Sequence, residues 1–291
     1  MEKYINGFKD AFLGTVDWTY KSILFDVLWY TNYFYGLLII SLLIWCLEIA
    51  FPWRKQQAIF RKDFWLDGFY MFFNFFIFSV AISGFYKLLQ IGFLDLGITN
   101  KSLALFNPSG WPTWVQLLVF FVLLDFVQWF THTLLHKYPF FWQFHKVHHS
   151  VKEMGFAAHL RYHWMENILY KPLKTFAVML LFGFEPEHAY IVHFIAITIG
   201  HFNHSNIKIT WGPFKYIINN PVMHLYHHAY HLPTGKYGVN FGISLSVWDY
   251  IFRTNYIAED GGQIKLGFPG DEEFPKDFVS QNTYGFKTTK K

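Results

Sequence analysis

The stretch that decides the fold is residues 111–149, WPTWVQLLVFFVLLDFVQWFTHTLLHKYPFFWQFHKVHH. Its first part, Trp111 to Thr131, is apolar apart from a single acid, Asp125. As a helix, this run is long enough to cross the ~30 Å hydrocarbon layer of a membrane. Five histidines follow in its second part. The stretch therefore predicts a membrane helix that delivers a group of histidines to one membrane face.

Two earlier runs have the same apolar character. Tyr33 to Trp53 contains one charged residue, Glu48, and Gly68 to Tyr86 contains none. Only 15% of the whole chain is charged, whereas a soluble domain carries about 25%. Three such runs exceed what a soluble core needs, so we predict spanning helices rather than buried helices of a soluble protein.

A fourth apolar region is interrupted at its centre. Residues 175–184 and 189–200 are apolar and flank the sequence Glu185-Pro186-Glu187-His188. Each arm is short for a full crossing, which predicts a helical hairpin at about 169–203 that enters the bilayer and returns to the same side.

These runs predict an all-α, polytopic membrane helix bundle with three spanning helices, a helical hairpin and a histidine-rich helical cap on the cytosolic face. We expect a single membrane-embedded domain over 1–291. Its parts are an interfacial N-terminal segment (1–32), membrane helices (33–131), a histidine-rich catalytic region (132–254) and a polar C-terminal tail (255–291).

The charged and sulfur-containing residues narrow the function and set the orientation. The net charge of +4 comes without a long basic run, so we expect no nucleic-acid partner. The single cysteine, Cys46, excludes both an internal disulfide and a cysteine-held iron–sulfur cluster. Basic short loops stay cytoplasmic. Residues 54–62 contain four basic residues and residues 92–110 only one, which predicts that the histidines face the cytoplasm.

The histidines recur at helical spacing. His132 and His136 are one turn apart, and His-x-x-His-His occurs twice, at 145–149 and 224–228. Adjacent helical turns bring imidazoles to one ion, and neutral imidazole binds iron, zinc and copper. The candidate ligands exceed the capacity of one ion and predict two metals: His132, His136, His145, His148, His149, His201, His204, His224, His227 and His228.

This order of motifs resembles the fatty acid hydroxylase and sterol desaturase superfamily, from about Asp125 to Thr254. Smaller matches are Asn203-His204-Ser205, Asn219-Asn220-Pro221, Tyr237-Gly238 and Trp248-Asp249. The resemblance implies a di-iron centre, with dioxygen as co-substrate, that hydroxylates or desaturates a lipid of sterol, fatty acyl, sphingolipid or alkylglycerol type. It assigns the ligand role to all ten histidines except His201, which stands where relatives vary.

Other residues are predicted around the ligands. Asp125, Glu166 and Asp249 are candidates to accept the outer N–H of a ligand histidine, with helix packing as the alternative for Asp125. Arg161 and His163 resemble an Arg-x-His-x-x-Glu stretch of some relatives, which makes His163 a ligand or a pocket residue. Four histidines are predicted not to be ligands: His159, His188, His193 and His231. Six aromatic residues are candidates for an apolar slot: Trp129, Trp142, Phe144, Tyr162, Trp164 and Tyr226.

The chemistry implied by the resemblance needs partners. The substrate is a membrane lipid, and the electrons come from a separate donor, a cytochrome or a ferredoxin with its reductase. We expect a multi-pass protein of the bacterial inner membrane or the endoplasmic reticulum. The alternatives are a zinc-dependent membrane hydrolase, which would want a His-Glu-x-x-His motif, and a metal transporter, whose ligands should lie at mid-membrane.

Overall fold

The computed structural model describes residues 1–99, 107–169, 186–233, 237–257 and 260–286. These residues form helices and loops without a strand, apart from isolated bridges between Ile218 and Leu245 and between Ala229 and Leu266. The all-α prediction is confirmed. The helices are α1 (Glu2–Ile23), α2 (Tyr33–Ala50), α3 (Phe64–Phe72), α4 (Phe78–Asp95), α5 (Thr113–Lys137), α6 (Pro139–His149), α7 (Trp164–Leu169), α8 (Pro186–Asn203), α9 (Pro221–His227), α10 (Val247–Ile251) and α11 (Phe278–Tyr284).

Within the described residues, three helices are long and apolar enough to span a membrane, as predicted: Tyr33–Ala50, Phe64–Asp95 and Thr113–Lys137. The second one joins α3 to α4 and is longer than the uncharged run from which it was predicted. Its 32 residues extend about 48 Å, so it outreaches the ~30 Å hydrocarbon layer. The sequence hides this length because the charged residues Asp67 and Lys87, which bound the uncharged run, lie inside the helix. Asp67 is fully buried between Arg61 and Arg161.

A π-helical turn, Phe73–Ile77, connects α3 to α4. It carries the buried Asn74, whose amide donates to the carbonyl of Tyr162 at 3.0 Å and whose Oδ1 accepts from Asn167 at 2.8 Å. Turns of this kind often lie at functional sites. Here the turn fastens the longest membrane helix to the segment that follows α6.

Helix α1 packs along α4 within the predicted interfacial segment 1–32. Phe8 meets Phe85 edge-on at 5.2 Å and lies over Gly84, where a Cβ would clash with the ring. Lys3 and Tyr4 both bind the carboxylate of Asp95. The start of α1 is therefore fixed at the end of α4, and the position of α1 relative to a bilayer stays a prediction.

The predicted hairpin is described in part. Its first arm falls on 170–185, outside the described residues, and its second arm is α8. Helix α8 packs against α5 and α2. The residue directly after α8 is His204, which lies in the histidine-rich cap.

The histidine-rich cap, which contains α6, α9 and the residues around them, is held together by apolar residues from distant parts of the chain. One cluster joins Val151 and Met154 to Leu225 and Leu266. The described part of segment 255–291 also contributes helix α11, in which Gln281 and Asn282 each hydrogen-bond the buried Tyr70 hydroxyl at 2.9 Å. Residues 260–286 are thus packed onto both the cap and α3, which their polar composition does not reveal.

We predict that the loop after α2 faces the cytoplasm and that the end of α4 faces the opposite side. Cysteines placed at Gln56 and Leu96, both exposed, in a Cys46→Ser background can be probed on sealed cells with an impermeant thiol reagent. Labelling at position 96 alone is expected, because Arg54, Lys55, Arg61 and Lys62 should hold the first loop inside. Labelling at position 56 alone would invert the topology, and labelling at both would mean that a spanning segment is misassigned.

Candidate metal centre

Nine histidines from four places in the chain meet in the cap. They come from the end of α5, from α6, from the residue after α8, and from α9 with the residue that follows it. They form two groups, within each of which the nitrogens lie within 4.8 Å of one another. The first group is His132, His136, His145, His149 and His227, and the second is His148, His204, His224 and His228.

The helical spacing explains how one motif serves both groups. On α6, His145 and His149 are four residues apart and belong to the first group. His148, three residues after His145, belongs to the second. The rings of His149 and His228 stack at 4.3 Å, so the two groups are adjacent. The geometry supports two neighbouring metal sites that share α6 and the region of α9.

Backbone carbonyls fix the orientation of several of these rings. The Nδ1 atoms of His132 and His227 lie 2.7 and 2.8 Å from the carbonyls of Phe241 and Val239. A carbonyl can only accept a hydrogen bond, so each of these Nδ1 atoms carries the proton. The same holds for His148 and His204, whose Nδ1 atoms lie 3.1 and 2.7 Å from the carbonyls of Arg161 and Gly200. Each of these four neutral rings therefore presents a lone pair at Nε2.

The inward nitrogens are arranged as a cation requires. The Nε2 atoms of His148 and His204 are 3.3 Å apart, although both carry lone pairs, and two lone pairs at this distance repel. The Nε2 atoms of His136, His149 and His227 are buried and have no hydrogen-bond partner within the described part of the chain. A metal ion among these nitrogens removes both costs, so the residues fit a metal pair with imidazole ligands.

Burial also keeps the rings in the form that binds metal. Desolvation lowers the pKa of His148 to about 3. It also places the pKa values of His227 and His228 well below the usual range of histidine, with neighbouring histidines adding to the effect. These imidazoles are neutral near pH 7, and neutral imidazole is the ligand form.

Of the three predicted acids, only Glu166 contacts a ligand candidate directly. Glu166 Oε1 lies 3.3 Å from His145 Nδ1. Asp125 accepts instead from the amides of Ser244 and Leu245 at 3.1 Å and from the Trp248 indole at 3.0 Å.

Asp249 likewise holds backbone. It accepts from the amides of Phe241 and Gly242 at 2.9 and 2.8 Å and from the Trp129 indole at 3.0 Å. Both aspartates therefore fasten residues 241–248, and Phe241 in turn orients His132 through its carbonyl. They act on the ligands through this loop.

Three further predicted residues lie beside the groups. His201 is outside both, with Nε2 3.1 Å from Ser41 Oγ and Nδ1 3.1 Å from His159 Nδ1. Both ring nitrogens of His163 are used, because Nδ1 accepts from the Met165 amide and Nε2 donates to the Asn282 carbonyl.

Arg161 supports the site through its own backbone. Its carbonyl accepts from His148, while its guanidinium binds Asp63 and Asp67. The orienting carbonyls of Phe241, Val239, Gly200 and Arg161 were not predicted, because every residue has a carbonyl and no side-chain pattern marks these four.

Three of the four histidines predicted not to be ligands, His159, His193 and His231, lie outside both groups. His231 is exposed, and His193 stacks with Tyr33 at 5.6 Å. His159 is closer to the centre than expected, since its ring is 5.0 Å from that of His204. His188 lies in the first turn of α8, and its side chain is outside the described part of the chain.

A cavity of about 180 Å³ lies between α5 and α8. Its walls include three ligand candidates, His132, His145 and His148, together with Glu166 and Tyr162. The apolar lining comprises Phe75, Phe121, Leu124, Leu135, Leu160, Val192, Ala196, Ile197 and Ile243. Of the six aromatic residues predicted to form a slot, Tyr162 lines this cavity and the other five do not.

The chain is similar to known proteins over the region that builds this centre. The family model "Fatty acid hydroxylase" matches residues 117–254. The ornithine lipid hydroxylase OlsE of Rhizobium tropici is 28% identical over 176 residues, which cover 60% of this chain and 52% of that protein. The alkylglycerol monooxygenase of Homo sapiens is 25% identical over 240 residues, 77% of this chain and 46% of that protein.

A plant protein matches over a shorter stretch. Methylsterol monooxygenase 1-1 of Arabidopsis thaliana is 29% identical over 147 residues, 48% of this chain and 46% of that protein. The chain thus spans about half the length of the curated relatives it matches. No solved structure matches it. Residues 117–254, which build this centre, therefore form a domain of the fatty acid hydroxylase and sterol desaturase superfamily.

Proposed function

We propose that the chain is a membrane-bound, non-haem di-iron oxygenase that uses dioxygen and external electrons to hydroxylate or desaturate a lipid. The observation that carries the proposal is the shared wall of the metal centre and the cavity. His132, His145 and His148 belong to the histidine groups and also line the apolar space between α5 and α8. A hydrocarbon chain in that space lies against the ligands.

The nine grouped histidines would hold two iron ions. Bound there, iron would supply, with dioxygen, the oxidising power needed to remove hydrogen from an unactivated carbon. The protein's own contribution is orientation. Carbonyls fix the rings of His132, His148, His204 and His227, and Glu166 reaches the outer nitrogen of His145.

The cavity would select and hold the substrate. Apolar side chains such as Leu124, Val192 and Ile197 bind a hydrocarbon by removing its surface from water, worth roughly 25 cal/mol per Å². The same walls exclude water from the reacting carbon. The relatives are named for ornithine lipid, alkylglycerol and methylsterol. We therefore place the substrate among membrane lipids of sterol, fatty acyl, sphingolipid or alkylglycerol type.

The electrons would come from outside the chain. With a single cysteine, Cys46, the chain has no set of thiolates for an iron–sulfur cluster. A cytochrome, or a ferredoxin with its reductase, would serve as donor. A centre on the cytoplasmic face of a bacterial inner membrane or of the endoplasmic reticulum would be open to such a carrier.

The direct test is product analysis with isotopic oxygen. Iron-loaded protein in lipid vesicles, supplied with reductant and ¹⁸O₂, should yield a lipid that either gains one ¹⁸O atom or loses two hydrogen atoms. The first result identifies a hydroxylase and the second a desaturase. Oxygen-independent release of a lipid fragment by zinc-loaded protein would instead establish the hydrolase.

The metal content should follow the two histidine groups. The purified protein should hold close to two metal ions per chain, and either His148→Ala or His227→Ala should lower this content and abolish turnover. His231→Ala is the matched control, because His231 is exposed and lies outside both groups. Elemental analysis and product assays on the same samples decide the matter. Full activity with one tightly held zinc ion would contradict the di-iron proposal.

Asp125 and Asp249, which bind residues 241–248, should be needed for full activity although neither contacts a ligand candidate. In Asp125→Asn or Asp249→Asn, the new side-chain NH₂ must face a backbone or indole N–H from which the carboxylate accepted a hydrogen bond. Residues 241–248 then loosen, and so does the carbonyl that orients His132. We expect the fold to persist and activity to fall roughly ten- to a hundredfold. Asp260→Asn, at an exposed carboxylate, should retain wild-type activity. Equal activity in all three variants would contradict this role and leave both aspartates with a packing role only.

A further inference from the structure

Trp142 touches the metal centre on a side that the cavity does not reach. Its indole centroid lies 5.0 Å from the ring of His136 and 5.2 Å from that of His149. All three residues belong to the cap, and Trp142 precedes His149 by two turns on the same face of α6. Trp142 is partly exposed, whereas both histidines are almost fully buried.

The two sides of the first histidine group are therefore different. The cavity touches His132 and His145 but neither His136 nor His149. Trp142 lies closest to His136 and His149, is 6.2 Å from the ring of His145, and is not a cavity residue. A lipid in the cavity does not cover the exposed part of Trp142, whose other side packs on the cluster of Phe268, so a second molecule can approach the centre at this residue.

The surroundings of Trp142 continue outward as aromatic contacts. Phe268 meets the indole edge-on at 5.8 Å, and the ammonium of Lys146 lies 5.7 Å from the Phe268 ring. Phe241 also contacts the ring of His136, at 5.1 Å, but it is fully buried. Trp142 spans the distance from ligand to surface with one side chain.

We propose that Trp142 is the electron-entry residue of the metal centre. A reduced one-electron carrier protein docks over Trp142 and is oxidised by one electron, which passes through the indole and the rings of His136 and His149 and reduces the iron pair by one electron. Two such transfers provide the two electrons of one turnover, and the indole keeps its own oxidation state. The inference rests on the proposed di-iron function.

The test measures reduction rather than turnover. Oxidised, iron-loaded protein is mixed anaerobically with a reduced [2Fe–2S] ferredoxin, and the iron absorption is followed by stopped flow. Trp142→Leu should slow this reduction roughly tenfold, about 1.4 kcal/mol in activation free energy, with iron content and reduction potential unchanged. A merely structural role would change iron content or potential. Trp142→Met, whose flexible side chain adapts to an irregular gap, should behave like the leucine variant and decides the matter if that variant loses iron.

Phe144→Leu is the matched control, because Phe144 lies on the same helix and packs on His163 and Phe286. It should be reduced at the wild-type rate. Reduction of the iron-retaining Trp142 variants at the wild-type rate would overturn the inference and leave the proposed function intact. A wild-type protein whose bound metal cannot be reduced at all would overturn both.

Discussion

The structure depends on where the protons of its buried imidazoles lie. In His132, His148, His204 and His227, Nδ1 faces a backbone carbonyl, so the proton is on the outside and the lone pair on the inside. Several lone pairs then meet in one buried space, an arrangement that costs free energy in an empty protein and is stabilised by cations. The rings, their carbonyls and the metal pair that we propose would therefore form one energetic unit.

That unit explains why distant parts of the chain are fixed so firmly. The carbonyl of Phe241 has to be held in place for His132 to be oriented, and both Asp125 on a membrane helix and Asp249 in the cap hold the loop that carries it. The carbonyl of Arg161 orients His148, while the Arg161 guanidinium is tied to Asp67 at the start of the longest membrane helix. Two membrane helices thus stabilise the metal centre through buried carboxylates, which are costly in such helices and usually functional.

The sequence predicted those parts of the arrangement that follow from long apolar runs or from regular helical spacing of side chains. Long apolar runs predicted the three helices able to span a membrane, and i, i+3, i+4 spacing placed nine histidines on faces that the structure brings together. Contacts without a period were not predictable. Carbonyl partners leave no side-chain signal, and Asp125 reads as a ligand partner because the sequence does not show that residues 244–248 fold back onto it. Trp142 was indistinguishable from other aromatics until its contacts with His136 and His149 were seen.

The central claim is that two iron ions bind at the inward nitrogens of the two groups. The most direct measurement is a crystallographic map of the iron-loaded protein with anomalous data at the iron edge. The account predicts two adjacent anomalous peaks, one in each histidine group, with His132, His148, His204 and His227 coordinating through Nε2. A single peak, or coordination through Nδ1 with the carbonyl bonds broken, would contradict it.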